Sequence, residues 1–457
     1  MTNRLGDHAI VIGGSMTGLM TGRVLADYFD HVTVFERDEI ETGPVIHKSI
    51  PQGNHVHALL YGGQRVMSQL YPGFIGELKE LGAVPYRSGV DVAWYGPQGK
   101  SYSPTGSVRE PHDLGFVGHT MSRGLLEHLV RLRTTALPNV TLETGSTVEE
   151  LVQSGDGVRG VIVARETGSE TVNADLVVDA GGRGSHALRW LTSIGVPRPS
   201  ETVIGVDFAY TSTKYRIRNS DNGAEPVILV GGPPPDFTRG AGVFEIEDGT
   251  RHVSLAGRFG DYPPTDDAGF LAFAKSLPAS PLFDLIESAE RIADITHHRF
   301  PTSMWRHYEG LADFPPGFLL LGDAICSFNP VYGQGMTSAA LQTFALQEIL
   351  GQRLAQSRGL ERLAREFFAK AAEVIATPWA LAAAFDFAYP QTRGERPAGM
   401  SEGARYFAAL DSLQSEDRDI QRLILEVFQL MKPLSALSEE PLRNRVLERM
   451  QKRKMGG

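Results

Sequence analysis

The chain has 457 residues, 42% hydrophobic and 21% charged, a soluble globular composition long enough for two or three packed units. Its 44 Lys and Arg against 54 Asp and Glu give a formal charge of −10, with no clustered basic face of the kind nucleic acid requires. The single cysteine, Cys326, excludes an intramolecular disulfide. No run of 18 apolar residues is present, and the N-terminal MTNRLGDHAIVIGG lacks a charged-then-apolar leader pattern. No membrane span and a cytoplasmic location are therefore the expectations.

In chain order, HAIVIGG reads as a buried strand, SMTGLMTGRVLADYF as a helix and HVTVFE as a second strand, a βαβ unit over 8–36. PQGNHVHALLYGG (51–63) reads as a loop entering a helix that runs on through QRVMSQLY. The alternation over 140–165, with Gly155-Asp156-Gly157 inside it, predicts a hairpin. ADLVVDAGGRGSHALRWL (174–191) is strand, glycine-rich turn and helix. From about 201 to 300 the pattern alternates and turns at Asp248-Gly249, as an antiparallel sheet would. FLLL (318–321) then leads through GDAICSFNPVYGQGM (322–336) into a helical run. Beyond 350 the chain reads as helix, broken by YPQTRGERPAG; the apolar PWALAAAF (378–385) stops at Asp386.

GGSMTG (13–18) has the context a dinucleotide fingerprint requires: strand before, helix after, and an acid, Glu36, ending the next strand. Gly13 permits the tight turn and Gly18 close helix–strand packing, while Ser15 stands at the middle glycine and offers a hydroxyl to phosphate. The helix N-terminus suits a pyrophosphate and Glu36 a ribose hydroxyl pair. The late Gly322-Asp323 beside another helix start supplies what the far end of FAD needs. Asp323 can accept from ribityl hydroxyls, and amides near Gly335 and Met336 can face the pyrimidine edge, where reduced flavin is negative.

GDAICSFNPVYGQGM, MSRGLLEHL (121–129) and LVVDAGGRGSHALR together resemble the class A FAD-dependent monooxygenases, the aromatic-hydroxylase and squalene-epoxidase group, over most of the chain. PQGNHVHALLYGG, CSFNPVYGQGM and YPQTRGERP look closest to the bacterial polyether-type polyene epoxidases. The resemblance implies a glutathione-reductase-like α/β FAD domain from 1–80, 110–200 and 290–350. It implies an antiparallel substrate sheet from 81–109 and 201–289, and a helical region over 351–457. It carries the cofactor site onto Gly13, Ser15, Met16, Thr17, Gly18, Glu36, Arg37, Lys48, His57, Arg123, Val148, Gly322, Asp323, Pro330, Gly333, Gly335 and Met336.

The activity so implied is insertion of one oxygen atom from O2, through a flavin C4a-hydroperoxide, into a hydrophobic natural product. NADPH or NADH would donate electrons. Gly181 stands where the family has the Asp of its Asp-Gly element, which opens a separate flavin reductase as an alternative route. Epoxidation of an alkene or polyene is preferred to hydroxylation of a polycyclic polyketide, because no base for a phenol is legible and no catalytic residue is assigned. A halogenase and a prenyl-chain reductase rank below. None of the tryptophans at 94, 190, 305 and 379 lies two residues from another, as the halogenase W-x-W motif needs.

Phe208, Tyr210, Phe244 and Tyr332 are candidate pocket residues, with core packing an equal reading for each. Cys326 reads as a small buried hydrophobe. His55, His57, His297 and His298 lack a nearby acidic third ligand, so no metal is expected.

Overall fold

The computed structural model describes residues 4–46, 50–217, 225–278 and 281–455. Strand β1 (Gly6–Ile12), helix α1 (Met16–Leu25) and strand β2 (Phe29–Phe35) form the βαβ unit read from sequence. Ala9, Ile10 and Val11 are fully buried, the continuous apolar signature of a strand covered on both faces. β2 pairs parallel to β1, Ala9 opposite Val32 and Val11 opposite Val34.

Helix α2 (Tyr61–Leu70) follows the 50–60 loop; strand β3 (Val92–Gly96) and helix α3 (Arg123–Thr135) come next. Ser122 caps α3 by accepting from the Leu125 amide. Strand β4 (Val140–Glu143) lies outside the hairpin expected over 140–165. It pairs parallel to β2, because Val140 and Leu142 continue the buried sheet. The hairpin is Thr147–Ser154 with Gly157–Arg165, and Gly168–Asn173 adds a third strand. Strand β5 (Leu176–Asp179) is wholly buried beside β1.

Strands β6 (Glu201–Arg216), β7 (Val227–Val230), β8 (Gly240–Glu245), β9 (Thr250–Arg258) and β10 (Thr296–Arg306) build the large sheet, with β3 at the β7 side. β8 and β9 meet at the expected turn, where Asp248 and Gly249 have φ of 61° and 64°. β10 belongs to this sheet and not to the FAD unit assigned to 290–350: it pairs antiparallel with β6 along most of its length. A bulge between Gly205 and Phe208, with Asp207 at φ 41°, bends β6.

Strand β11 (Phe318–Leu320) completes the five-stranded parallel sheet in the order β11-β5-β1-β2-β4. Helices α4 (Gly335–Ala355) and α5 (Leu363–Asp386) follow, then Met400–Gln414, Arg418–Phe428 and Leu442–Met455. α5 is long and apolar enough, by length and composition, to cross a membrane. It nevertheless buries Phe367, Phe368, Ile375 and Leu381 against the rest of the chain, as a core helix does.

Register decides what the large sheet shows to the site. Directly paired residues point to the same face. Phe208 lies opposite Arg258 and Phe300, Tyr210 opposite Ala256 and His298, and Ser212 opposite Ser254. These share the inner face with Phe244, which lies opposite His252. Val253 and Leu255 point the other way, into a core shared with Phe270 and Phe273.

Candidate active site

The first glycine turn is tight because nothing larger fits. Gly13 has φ 102°, and a Cβ there would stand 2.8 Å from the Ala180 carbonyl oxygen. A Cβ on Gly18 would lie 1.7 Å from the Gly13 carbonyl oxygen, so α1 sits directly on the turn. Gly14, not singled out from sequence, brings its amide to Glu36 Oε2 at 2.7 Å, and the Asp38 amide donates to Oε1 at 3.0 Å. Two backbone amides thus orient the buried Glu36 carboxylate and leave acceptor capacity on both oxygens.

Ser15 is engaged. Its hydroxyl donates to Glu127 Oε2 at 2.8 Å and accepts from Arg123 Nη2 at 3.0 Å. Arg123 and Glu127 form a buried ion pair at 2.6 Å. The donors left for a phosphate are the open amides of α1 and Arg123 Nη1, which is buried without a partner among the described residues. Glu127 escaped the sequence reading; its signal was the four-residue spacing from Arg123 on one helix face.

Of the other predicted cofactor residues, Met16 is buried at the α1 start and Thr17 lies against Gly322, whose added Cβ would stand 2.8 Å from Thr17 Oγ1. The two glycine turns, far apart in sequence, therefore adjoin. Arg37 is exposed beside Glu36, and Val148 is buried in the main core. Lys48 lies outside the described residues. His57 Nδ1 donates to the His55 carbonyl oxygen at 2.8 Å, so Nδ1 carries the hydrogen there. Burial and the Arg123 charge push its pKa down to about 4.

At the far end, Asp323 makes no hydrogen bond among the described residues. Desolvation pushes its carboxyl up to about 6 against the opposing field of Arg183. Asp323 is half-buried. Pro330 opens a one-turn 3-10 helix, Gly333 follows at φ 65°, and a Cβ on Gly333 would meet the Ala58 methyl at 3.1 Å. Gly335 and Met336 begin α4, whose first-turn amides have no side-chain cap.

The 50–60 loop is pinned to the inner face of the large sheet. His55 Nδ1 lies 2.7 Å from Ser212 Oγ, the Val56 amide donates to Ser254 Oγ at 3.0 Å, and the two serine hydroxyls are 2.5 Å apart. His252 Nε2 lies 3.1 Å from the Asn54 carbonyl oxygen. Burial holds His55 and His252 at about 3, so both rings are neutral and weakly basic.

Phe208 and Tyr210 pack together at 5.6 Å between ring centroids. Arg258 lies over the Phe208 ring and donates to Tyr332 Oη at 3.2 Å, which draws three of the four pocket candidates into one patch; Phe244 sits farther along the sheet. Arg183 covers the Phe300 ring at 4.3 Å, another residue missed from sequence. Among the described residues no three His, Cys, Asp or Glu side chains gather as a metal site.

The residues present fit FAD. The fit rests on Arg123 Nη1 and the Asp323 carboxyl, neither hydrogen-bonded among the described residues, and on turns that a single Cβ would fill.

Comparison with known proteins agrees. The flavin-dependent brominase Bmp2 superposes with a TM-score of 0.68 at 14% identity, over 98% of this chain and 100% of that one. The p-nitrophenol 4-monooxygenase PnpA of Pseudomonas putida DLL-E4 gives 0.64 at 18% identity, over 94% and 99%. Protein Rv3254 of Mycobacterium tuberculosis is 33% identical over 416 residues, 87% of this chain and 86% of its own length. The chain belongs to that protein's family, within the class A FAD-dependent monooxygenase fold. Squalene epoxidase 2, mitochondrial, of Arabidopsis thaliana is 22% identical over 346 residues, 76% of this chain but 54% of that longer protein. No protein-family profile matches the chain.

Proposed function

We propose that this protein is an FAD-dependent monooxygenase that places one oxygen atom from O2 on a hydrophobic organic substrate, with epoxidation of an alkene or polyene as its reaction. NADPH or NADH is the proposed electron donor. The observation that carries the reading is the junction of the Thr17 and Gly322 turns, an adenosine-end cradle and a ring-end cradle, beside an aromatic-rich sheet face.

Bound FAD supplies dioxygen activation once reduced. The chain's own residues do the rest. Glu36 and the α1 amides would hold the ribose and phosphates, and Asp323 would accept from the ribityl chain. The open amides of α4 would meet negative charge at the pyrimidine edge. Phe208, Tyr210 and Phe300, buried in one apolar cluster with Ile204, Val206, Ala383 and Phe387, would form the apolar wall that keeps water away and orients the substrate.

A phenol gains from a base, and the histidines nearest the sheet face are committed to holding the 50–60 loop: His55 to Ser212, His57 to the His55 carbonyl and His252 to the Asn54 carbonyl. Alkene epoxidation needs no such base. The likeness to a brominase favours halogenation as the second reading.

The test supplies FAD, NADPH and 18O2 with a panel of polyenes and polycyclic phenols, with and without bromide, and follows products by mass spectrometry. One 18O atom in an epoxide is the expected result. A halide-dependent product with no 18O would replace the first reading by the second.

A further inference from the structure

We propose that Asp386 is a positioning residue through which the C-terminal helix α5 sets the loop Asn329–Tyr332 against the flavin ring. The inference rests on the reading above, which puts the α4 start at the ring's pyrimidine edge, with the Pro330 turn immediately before it.

Asp386 ends α5 and is fully buried. One of its oxygens, Oδ1, accepts from Asn329 Nδ2 at 2.9 Å, Tyr332 Oη at 2.7 Å and Arg258 Nη1 at 2.8 Å. Asn329 is itself fully buried, and its own Oδ1 accepts from the Val331 amide at 3.2 Å. Both ends of the Pro330 turn are therefore tied to a single carboxylate oxygen. Arg258 comes from β9, lies over the rings of Phe208 and Tyr389 at 5.4 and 4.9 Å, and donates a second bond to Tyr332. Three parts of the molecule converge there: the flavin-side loop, the inner face of the sheet and the C-terminal helix.

Stability alone gives a poor account of the carboxylate. An apolar residue at 386 would extend the run Trp379–Phe385. A buried ion pair is often no more stabilising than well-packed hydrophobic residues of the same volume. The second oxygen, Oδ2, is buried with no partner among the described residues, a cost a purely structural site would avoid. What the carboxylate achieves is geometric: it fixes two loop residues that flank Pro330.

The experiment titrates flavin-free protein with FAD by fluorescence quenching and records the visible spectrum of the bound flavin. The proteins compared are wild type, Asp386→Asn, Asn329→Ala, their double variant, Tyr332→Phe, and Ile375→Ala as a stability control inside the same helix. Asp386→Asn and Asn329→Ala should each raise the FAD Kd at least about ten-fold and alter the spectrum. The double variant should be no more than about two-fold worse than the weaker single, because residues acting through one contact are not additive. Ile375→Ala should lower Tm with the spectrum unchanged.

Additive effects, or a spectral change in Ile375→Ala equal to that in Asp386→Asn, would overturn the proposal. If Asp386→Asn does not fold, Tyr332→Phe decides: an altered spectrum supports the proposal and an unaltered one defeats it. Wild type that binds no FAD would instead defeat the monooxygenase reading. Wild-type binding with unaffected variants defeats only the positioning role.

Discussion

Asp323 serves two opposed needs. Without flavin its carboxyl is desolvated and titrates near about 6 rather than 3.8. The folded protein then holds that proton more tightly than the unfolded chain. This contribution to stability is fully present below 3.8 and is lost as pH rises through about 6. Ribityl hydroxyls need an acceptor, and the ionised carboxylate is the better one. FAD binding should therefore tighten as pH is raised from about 5 to about 7.5, while Asp323→Asn binds more weakly with a flatter profile. Fluorescence titrations across that range check it, and equal slopes in the two proteins would remove Asp323 from the site. At this scale the glycines and Glu36 were legible because their chemistry is local: a positive φ or a strand-end acid shows in the motif itself. Gly14, Glu127 and Arg183 were not, because their roles depend on what lies opposite.

The 50–60 loop is held to the sheet by groups that titrate. Its attachment uses neutral histidines and two serine hydroxyls. His55, His57 and His252 have folded values below their ordinary 6.5, so their contribution is present above that value and is lost as pH falls toward about 4 and about 3. Ser212→Val leaves His55 Nδ1 and Ser254 short of a partner, at a cost of about 1–3 kcal/mol. That variant should be cleaved between residues 50 and 60 by a protease at neutral pH, whereas wild type should require acidification. Equal resistance of both proteins would show that the serine pair does not hold the loop. The loop-to-helix passage was readable from PQGNHVHALLYGG, but its anchors lie on strands 150 and more residues away, as the pairings of His55 with Ser212 and Val56 with Ser254 show. The placement of β4 and β10 failed to show in sequence for a related reason: an alternating segment announces a strand but not its neighbour.

At the scale of the whole molecule, one ligand would bridge segments that the chain keeps apart, from Gly13 to Met336. A ligand that binds only the folded state stabilises by mass action, about 2.7 kcal/mol at a hundred times its Kd. Denaturant unfolding with saturating FAD should show an increase of that order. ADP, which matches only the Gly13–Glu36 end, should stabilise wild type and Asp323→Asn alike. FAD should favour wild type. Loss of the ADP effect in Asp323→Asn would mean that the two cradles are not separate halves of one site.

By itself the sequence determined the βαβ unit, both glycine turns, the alternating sheet and the helical end. Each of these is written in contacts a few residues long: apolar periodicity, turn chemistry and the conformations only glycine tolerates. The tertiary structure alone decided that Ser15 is engaged by Glu127, that β10 joins the large sheet, and that Asp386 reaches the loop around Pro330. Those pairings join residues 57 to 112 positions apart or strands separated by whole elements. A solitary acid at the end of an apolar helix signals that a buried partner exists, and only packing names it.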